Sequence, residues 1–378
     1  MTRHLGFITA LALAPLTLAA CGDAASEKPT KAAGVPASTS PPPGAPRTAG
    51  PAVISESREF REWRATCDNG AACVAFTGGD NGWLRVGMDP GSEASPSIRV
   101  GIPALNGTSV SAATLIIDGR RHELRPGPAD TFSFMVAPGE ARAVLTALAG
   151  ASTITAASGG ESVSFPTAGT SASLLWIDER QGRLNTATAL IRRGDQPAST
   201  VPAAPALPVI AAAPAVSQAG FEGDAPRPLP ATLEALGDVE KCREDTSFND
   251  YIQKAVTAVR LDASTEMWGV PCGAGAYNIV YSYFLTGAKG ANPRPVDFPG
   301  SNGQVLTSEY SPDGLVNPMY DAASRTITAF SKARGIGDCG ALQTWTWTGR
   351  GFVMSREQVM GECWGMVSDF WPTTYRSR

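Results

Sequence analysis

Six of the seven cysteines in this 378-residue chain fall after residue 60, at Cys67, Cys73, Cys242, Cys272, Cys339 and Cys363. An even set with no Cys-x-x-Cys reads as cross-links in an oxidising compartment, not as a redox pair or zinc knuckle. Histidine is almost absent. His4 lies in the leader, which leaves His122 as the single imidazole beyond it, so imidazole relays and His-based metal sites have nothing to be built from. No metal and no cofactor is expected. Cys67 and Cys73 flank Asp68-Asn69-Gly70, strong turn formers, and a bridge across a tight hairpin fits them. Chain order then favours Cys242–Cys272 and Cys339–Cys363.

The leader supports that compartment. Arg3 supplies a positive start and Leu5 to Ala20 is an almost unbroken apolar run, too short to be read first as a spanning helix. It closes on Leu18-Ala19-Ala20-Cys21-Gly22, which resembles the bacterial lipobox. In that motif a small residue precedes a cysteine that is diacylated with palmitate-type chains and becomes the new first residue. Residues 1–20 are therefore expected to be a lipoprotein signal peptide and Cys21 the lipidation site. More than one acyl chain is what stable attachment to a bilayer requires. Gly22 stands where aspartate would signal inner-membrane retention, so the expected address is the outer membrane, facing the periplasm.

Removing the leader's one arginine takes the net charge from −4 to −5. No basic run exceeds the pairs Arg120-Arg121 and Arg192-Arg193, which argues against nucleic acid as a partner. Residues 21–55, rich in Pro, Ala, Ser and Thr, read as a flexible tether. A second Pro/Ala-rich stretch, 197–228, reads as a linker between an N-terminal β-rich domain, 56–196, and a C-terminal β-rich disulfide domain, 229–378.

Both blocks are predicted to be mainly β, as antiparallel sandwiches or curved sheets. In the first, Phe60 to Cys67 reads as an edge segment, Trp83 to Met88 alternates at period two, and Leu115 to His122 carries a two-residue hairpin turn at Asp118-Gly119. Two short helices interrupt it. Ala141, Val144, Leu145 and Leu148 make one apolar stripe, and a second helix carries Leu174, Leu175 and Ile177 behind a Thr170 or Ser171 cap. In the second block, Asn278 to Leu285 and Thr326 to Phe330 read as strands. Thr344 to Thr348 should place Trp345 and Trp347 on one face.

Several of these stretches also carry a family pattern. It comprises Phe60-x-x-Trp63-x-x-Thr66-Cys67-Asp68-Asn69, Leu174-Leu175-Trp176-Ile177-Asp178-Glu179-Arg180-Gln181-Gly182-Arg183 and Cys272-Gly273-Ala274-Gly275-Ala276-Tyr277-Asn278. It continues with Gly335-Ile336-Gly337-Asp338-Cys339-Gly340, Trp345-x-Trp347-x-Gly349 and Trp371-Pro372-x-x-Tyr375-Arg376. The order resembles the exported bacterial proteins grouped as domain of unknown function 1176, and the opening is similar to invasion-associated locus B proteins. The resemblance implies export, disulfides and a β-rich fold, and it carries over no catalytic residue.

The chemical candidates are correspondingly few. Asp68 and Asp338 are the carboxylates to consider as a general acid/base pair on a glycan, with turn formation as the simpler role for each. His122 is expected to be an exposed strand residue, and Asp178 to Gln181 the solvated face of a helix. Trp345 and Trp347, joined by Tyr281 and Tyr283, would make a sugar- or peptide-binding platform if exposed and core otherwise. The leading expectation is a non-enzymatic interaction or structural module in the periplasm, with an envelope protein or cell-wall glycan as partner. The alternatives are an envelope glycan hydrolase using carboxylates and a periplasmic small-ligand or inhibitor-binding protein.

Overall fold

The computed structural model describes residues 54–79, 82–102, 112–128, 132–221, 227–301 and 314–378, all within one compact unit. Cys21 and nearly all of the tether lie outside the described residues. The fold is mainly β. The first ten strands are β1 (Glu56–Phe60), β2 (Trp63–Cys67), β3 (Cys73–Gly79), β4 (Gly82–Met88), β5 (Ser97–Gly101), β6 (Ala113–Ile117), β7 (Arg120–Pro126), β8 (Ser133–Val136), β9 (Ile154–Ser158) and β10 (Glu161–Phe165). They form one antiparallel sheet in the order β1-β2-β3-β4-β5-β8-β7-β6-β9-β10.

The turns follow from the residues at them. Asp118 (φ 48°) and Gly119 (φ 80°) both take left-handed backbone, the requirement of the tight turn that joins β6 to β7. The Phe60 to Cys67 segment is not one strand: Arg61, at φ 56°, turns the chain between β1 and β2. The sheet curves on itself, because a Cβ added to Gly82 of β4 would lie 2.8 Å from the Val163 side chain of β10.

Helix α1 (Ala141–Ala149) buries the expected stripe of Ala141, Val144, Leu145 and Leu148. Helix α2 (Thr170–Arg180) starts differently from the sequence expectation. Gly169, at φ 111°, precedes it, and a Cβ there would fall 1.8 Å from the Phe60 carbonyl oxygen. Only glycine admits β1 that close.

The second half opens with three short helices absent from the sequence reading: α3 (Ala231–Glu234), α4 (Gly237–Asp245) and α5 (Asp250–Lys254). In α4 only Val239 and Cys242 are buried, too few to show a helical stripe. Two five-stranded antiparallel sheets follow. One contains β11 (Thr257–Arg260), β12 (Glu266–Ala274), β13 (Ile279–Thr286), β14 (Arg294–Pro295) and β15 (Gly314–Val316). The other runs in chain order through β16 (Met319–Asp321), β17 (Thr326–Lys332), β18 (Gly340–Trp347), β19 (Phe352–Met360) and β20 (Thr373–Arg376). They share a core of Tyr283, Leu285, Phe298, Ile327, Trp345 and Phe352.

Three disulfides brace the halves: Cys67–Cys73 across the β2–β3 hairpin, Cys242–Cys272 from α4 to β12, and Cys339–Cys363. The halves also share a core, in which Val74, Phe76 and Trp83 meet Met360, Met366, Phe370 and Trp371. Trp83 and Phe370 pack with their rings tilted, 5.4 Å between centroids. Part of the Pro/Ala-rich stretch lies along the second half, where Ile210 N–H donates to the Arg378 carbonyl and Ala213 N–H to that of Trp347, both at 2.9 Å.

Candidate functional site

The two candidate carboxylates are both occupied by structure. Asp68 accepts from Gly70 N–H at 2.8 Å and Ala72 N–H at 2.9 Å, and its other oxygen sits 2.7 Å from Arg376 Nε. It shapes the β2–β3 turn and ties it to β20. Asp338 takes a two-pronged contact from Arg334, 2.6 Å to Nε and 2.5 Å to Nη2, and accepts from Gly365 N–H at 2.7 Å. Burial works against the Asp338 charge. The Arg334 fork and the Gly365 N–H outweigh it and hold the carboxyl below the ordinary range.

A depressed folded pKa gives stability that is present above the unfolded value and lost as pH falls through the folded one. Asp338→Asn is therefore expected to cost about 1–3 kcal/mol at neutral pH. The gap to wild type should narrow in acid, below about pH 4. Urea unfolding at several pH values checks this. Asp338 also lies beside the Cys339–Cys363 sulfurs, but these are bonded to each other and leave one carboxylate, which makes no metal site.

The polar helix segment differs from its expected solvated face. Glu179 and Arg180 are exposed, whereas Asp178 and Gln181 are buried with Arg183. Asp178 accepts from the N–H groups of Leu190, Ile191 and Arg192 at 2.6, 2.9 and 3.2 Å. Gln181 donates to the Ala71 and Met88 carbonyls, and Arg183 to Gln181 Oε1, Thr188 Oγ1 and the Asp89 and Gly91 carbonyls. The motif is a buried staple that fastens the 185–196 loop and the β4 end to α2. His122 is likewise buried, not exposed, because alternation along β7 turns it inward with Leu124. Burial first, and Arg120 second, hold its pKa below the ordinary value.

Trp345 and Trp347 are 0% and 1% exposed, so neither indole is open to a ligand. Both faces of β18 are covered at its Trp345–Trp347 end, and Trp345 Nε1 donates to the Pro299 carbonyl at 2.7 Å. Tyr283 is buried with them. A cleft of about 690 Å³ lined by aromatic residues lies between the edge strands β11 and β16. Tyr281, Tyr320, Phe221, Tyr251 and Met319 line it, with Arg227 and Lys254 also on its wall. Tyr251 is 82% and Met319 74% exposed.

Burial pushes the Tyr320 phenol up to about 12, and its buried oxygen makes no hydrogen bond among the described residues. Burial also raises the Tyr281 phenol. Both hydroxyls therefore stay protonated at neutral pH, as donors. Arg260 and Arg227 hold Phe221 by cation–π contact at 5.1 and 5.4 Å. Of the residues lining this cleft the sequence points to Tyr281 and to Tyr283, which reaches it from the core. Tyr251 and Met319 carry no periodic signal, and only the docking of the two sheets brings them together.

Among the described residues no helix is long and apolar enough to cross a membrane. The three disulfides fit an extracytoplasmic location. The chain is 28% identical over 340 residues to the uncharacterized protein YpfG of Escherichia coli (strain K12), covering 85% of this chain and 93% of that one. No solved structure matches. The family model described as "Protein of unknown function (DUF1176)" matches residues 57–378, the whole of the disulfide-braced region. The chain belongs to the DUF1176 family.

Proposed function

We propose that this protein is a lipid-tethered, non-enzymatic recognition module of the cell envelope that holds a glycan segment in the tyrosine cleft. The observation that carries this is a cleft in which the exposed Tyr251 and Met319 form a rim around the half-buried Tyr281 and Tyr320. Rings of this kind stack on the C–H faces of sugars, while the phenols and flanking cations are donors to sugar oxygens. The engagement of Asp68 and Asp338 in structural bonds supports recognition over hydrolysis.

Binding of solubilised cell-wall glycan fragments to the full chain, followed by calorimetry, tests the reading. Tyr251→Ala with Tyr281→Ala should weaken binding by roughly tenfold or more, at about 1–2 kcal/mol per lost stacking partner. Equal binding by wild type and the double variant, or none by either, contradicts it. The tether belongs to the same proposal. Cys21→Ala should move the protein from the membrane fraction to the soluble periplasmic fraction, and unchanged membrane association would remove the lipid anchor from the account.

A further inference from the structure

A second cleft, polar and remote in kind from the tyrosine cleft, opens where the two halves meet. Its volume is about 560 Å³ and four arginines line it. Arg85 on β4 stands directly opposite Arg99 on β5, and Arg356 on β19 directly opposite Arg376 on β20. Each half thus contributes one cross-strand pair of like charges, an arrangement that by itself destabilises a sheet.

The carboxylates of the cleft leave most of this charge unanswered. They are Asp68, Asp89 and Asp369. Asp68 is committed to Arg376 and to the turn it caps. Asp89 and Asp369 are exposed to solvent, and among the described residues Arg85, Arg99 and Arg356 form no ion pair.

Arg85 Nε and Arg99 Nη1 are buried and have no hydrogen-bond partner among the described residues, although a buried donor normally has one. Gly87 makes room for Arg85, since a Cβ there would lie 2.9 Å from Arg85 Nη1. Arg99 is fixed from the other half by Phe370, 4.9 Å from its guanidinium to the ring centroid. Burial first, and Arg99 beside it, bring Arg85 down to about 10 against the partly compensating charge of Asp89, which still leaves it cationic at neutral pH. Ser95, Ser97, Ser355 and Thr373 add hydroxyls to the wall.

We propose that this cleft is a binding site for a phosphoryl-bearing anion, held between the Arg85–Arg99 pair of the first half and the Arg356–Arg376 pair of the second. A phosphoryl group carries more than one negative charge and several acceptor oxygens, and guanidinium forks match it two bonds at a time. A bound anion would fill the orphaned donors and remove the repulsion across both strand pairs. Because the walls come from both halves, the same ligand would also bind the halves together.

The test uses the full chain in detergent, titrated with inorganic phosphate, pyrophosphate and dihexanoyl phosphatidic acid at constant ionic strength, and followed by thermal unfolding and calorimetry. Wild type should show a rise in Tm with pyrophosphate that sodium chloride at the same ionic strength does not give. Arg85→Gln with Arg99→Gln should weaken binding at least about tenfold, the scale of one lost charge-assisted hydrogen bond. Without ligand this variant should be at least as stable as wild type, because the repulsion is gone. Arg356→Gln, at an exposed side chain, supplies the same comparison without touching the Arg85–Arg99 pair.

A response to the soluble anions identifies a free phosphoryl ligand, and a response to the short-chain lipid alone identifies a lipid head group. Either supports the site. Variants that respond as wild type does, or a wild type that responds to none of the three probes, would overturn it.

Discussion

Asp178→Ala is expected to lower the unfolding free energy by about 3–5 kcal/mol, since it leaves three backbone N–H groups without an acceptor, each costing about 1–3 kcal/mol when buried. Asp178 is fully buried, and its two oxygens are the only side-chain acceptors that the N–H groups of Leu190, Ile191 and Arg192 have among the described residues. The change also removes the nearest negative charge from Arg183, whose guanidinium is itself fully buried and lowered in pKa by that burial. Asp178→Asn keeps one acceptor oxygen and should lose less. Glu179→Ala, on the exposed side of the same helix, should fall within about 0.5 kcal/mol of wild type. Urea unfolding gives the order directly, and an Asp178→Ala midpoint equal to that of Glu179→Ala would remove the staple from the account.

The second large effect lies in the sulfur bridges, and their ranking is the informative part. Cys242–Cys272 closes a separation of 30 residues, against 6 for Cys67–Cys73. Loop-closure entropy alone makes the first worth about 3.6 kcal/mol and the second about 2.2 kcal/mol. The difference is amplified by context. Helix α4 buries only Val239 besides Cys242, so apart from that one apolar contact with the Trp268 and Val270 core the bridge holds α4 to β12. The short bridge, by contrast, spans two strands already paired in register and a turn already organised by Asp68. Paired Cys→Ala variants, unfolded thermally under the same conditions, should show the larger loss of Tm for Cys242/Cys272. The reverse order would mean that α4 is held by something other than the sulfur.

Much of the fold is legible in the chain because local chemistry decides it. The Asp118-Gly119 turn, the α1 stripe, and the strands at Ile279 to Thr286 and Thr326 to Lys332 each follow from residues close in sequence. The three bridges join the pairs that chain order favours. What fails to show is whatever depends on tertiary contact. Asp178 and Gln181 look like a wet helix face because they are polar, and only the return of residues 185–196 over α2 makes them interior. His122 follows the alternation of β7, but nothing local says which of its faces is covered. Helices α3 to α5 escape notice because their buried residues are too few for a stripe.

The site was less legible than the fold for the same reason. Trp345 and Trp347 stand out as large aromatics, yet they lie at the one end of β18 that is covered on both faces and are buried there. The cleft's own residues come from separate elements, Phe221 ahead of the helices, Tyr251 on α5, Tyr281 on β13 and Tyr320 on β16, with no shared spacing. The four arginines are likewise far apart in sequence. Their pairing across β4–β5 and β19–β20 depends on register, which a single chain does not display.

Non-reducing peptide mapping of the protein recovered from cell envelopes bears most directly on where this chain works and what holds it together. The prediction is three bridged peptide pairs, Cys67 with Cys73, Cys242 with Cys272 and Cys339 with Cys363, and an amino-terminal peptide that begins at Cys21 with added acyl mass. Free thiols at those six positions, or an unmodified Cys21, would contradict it.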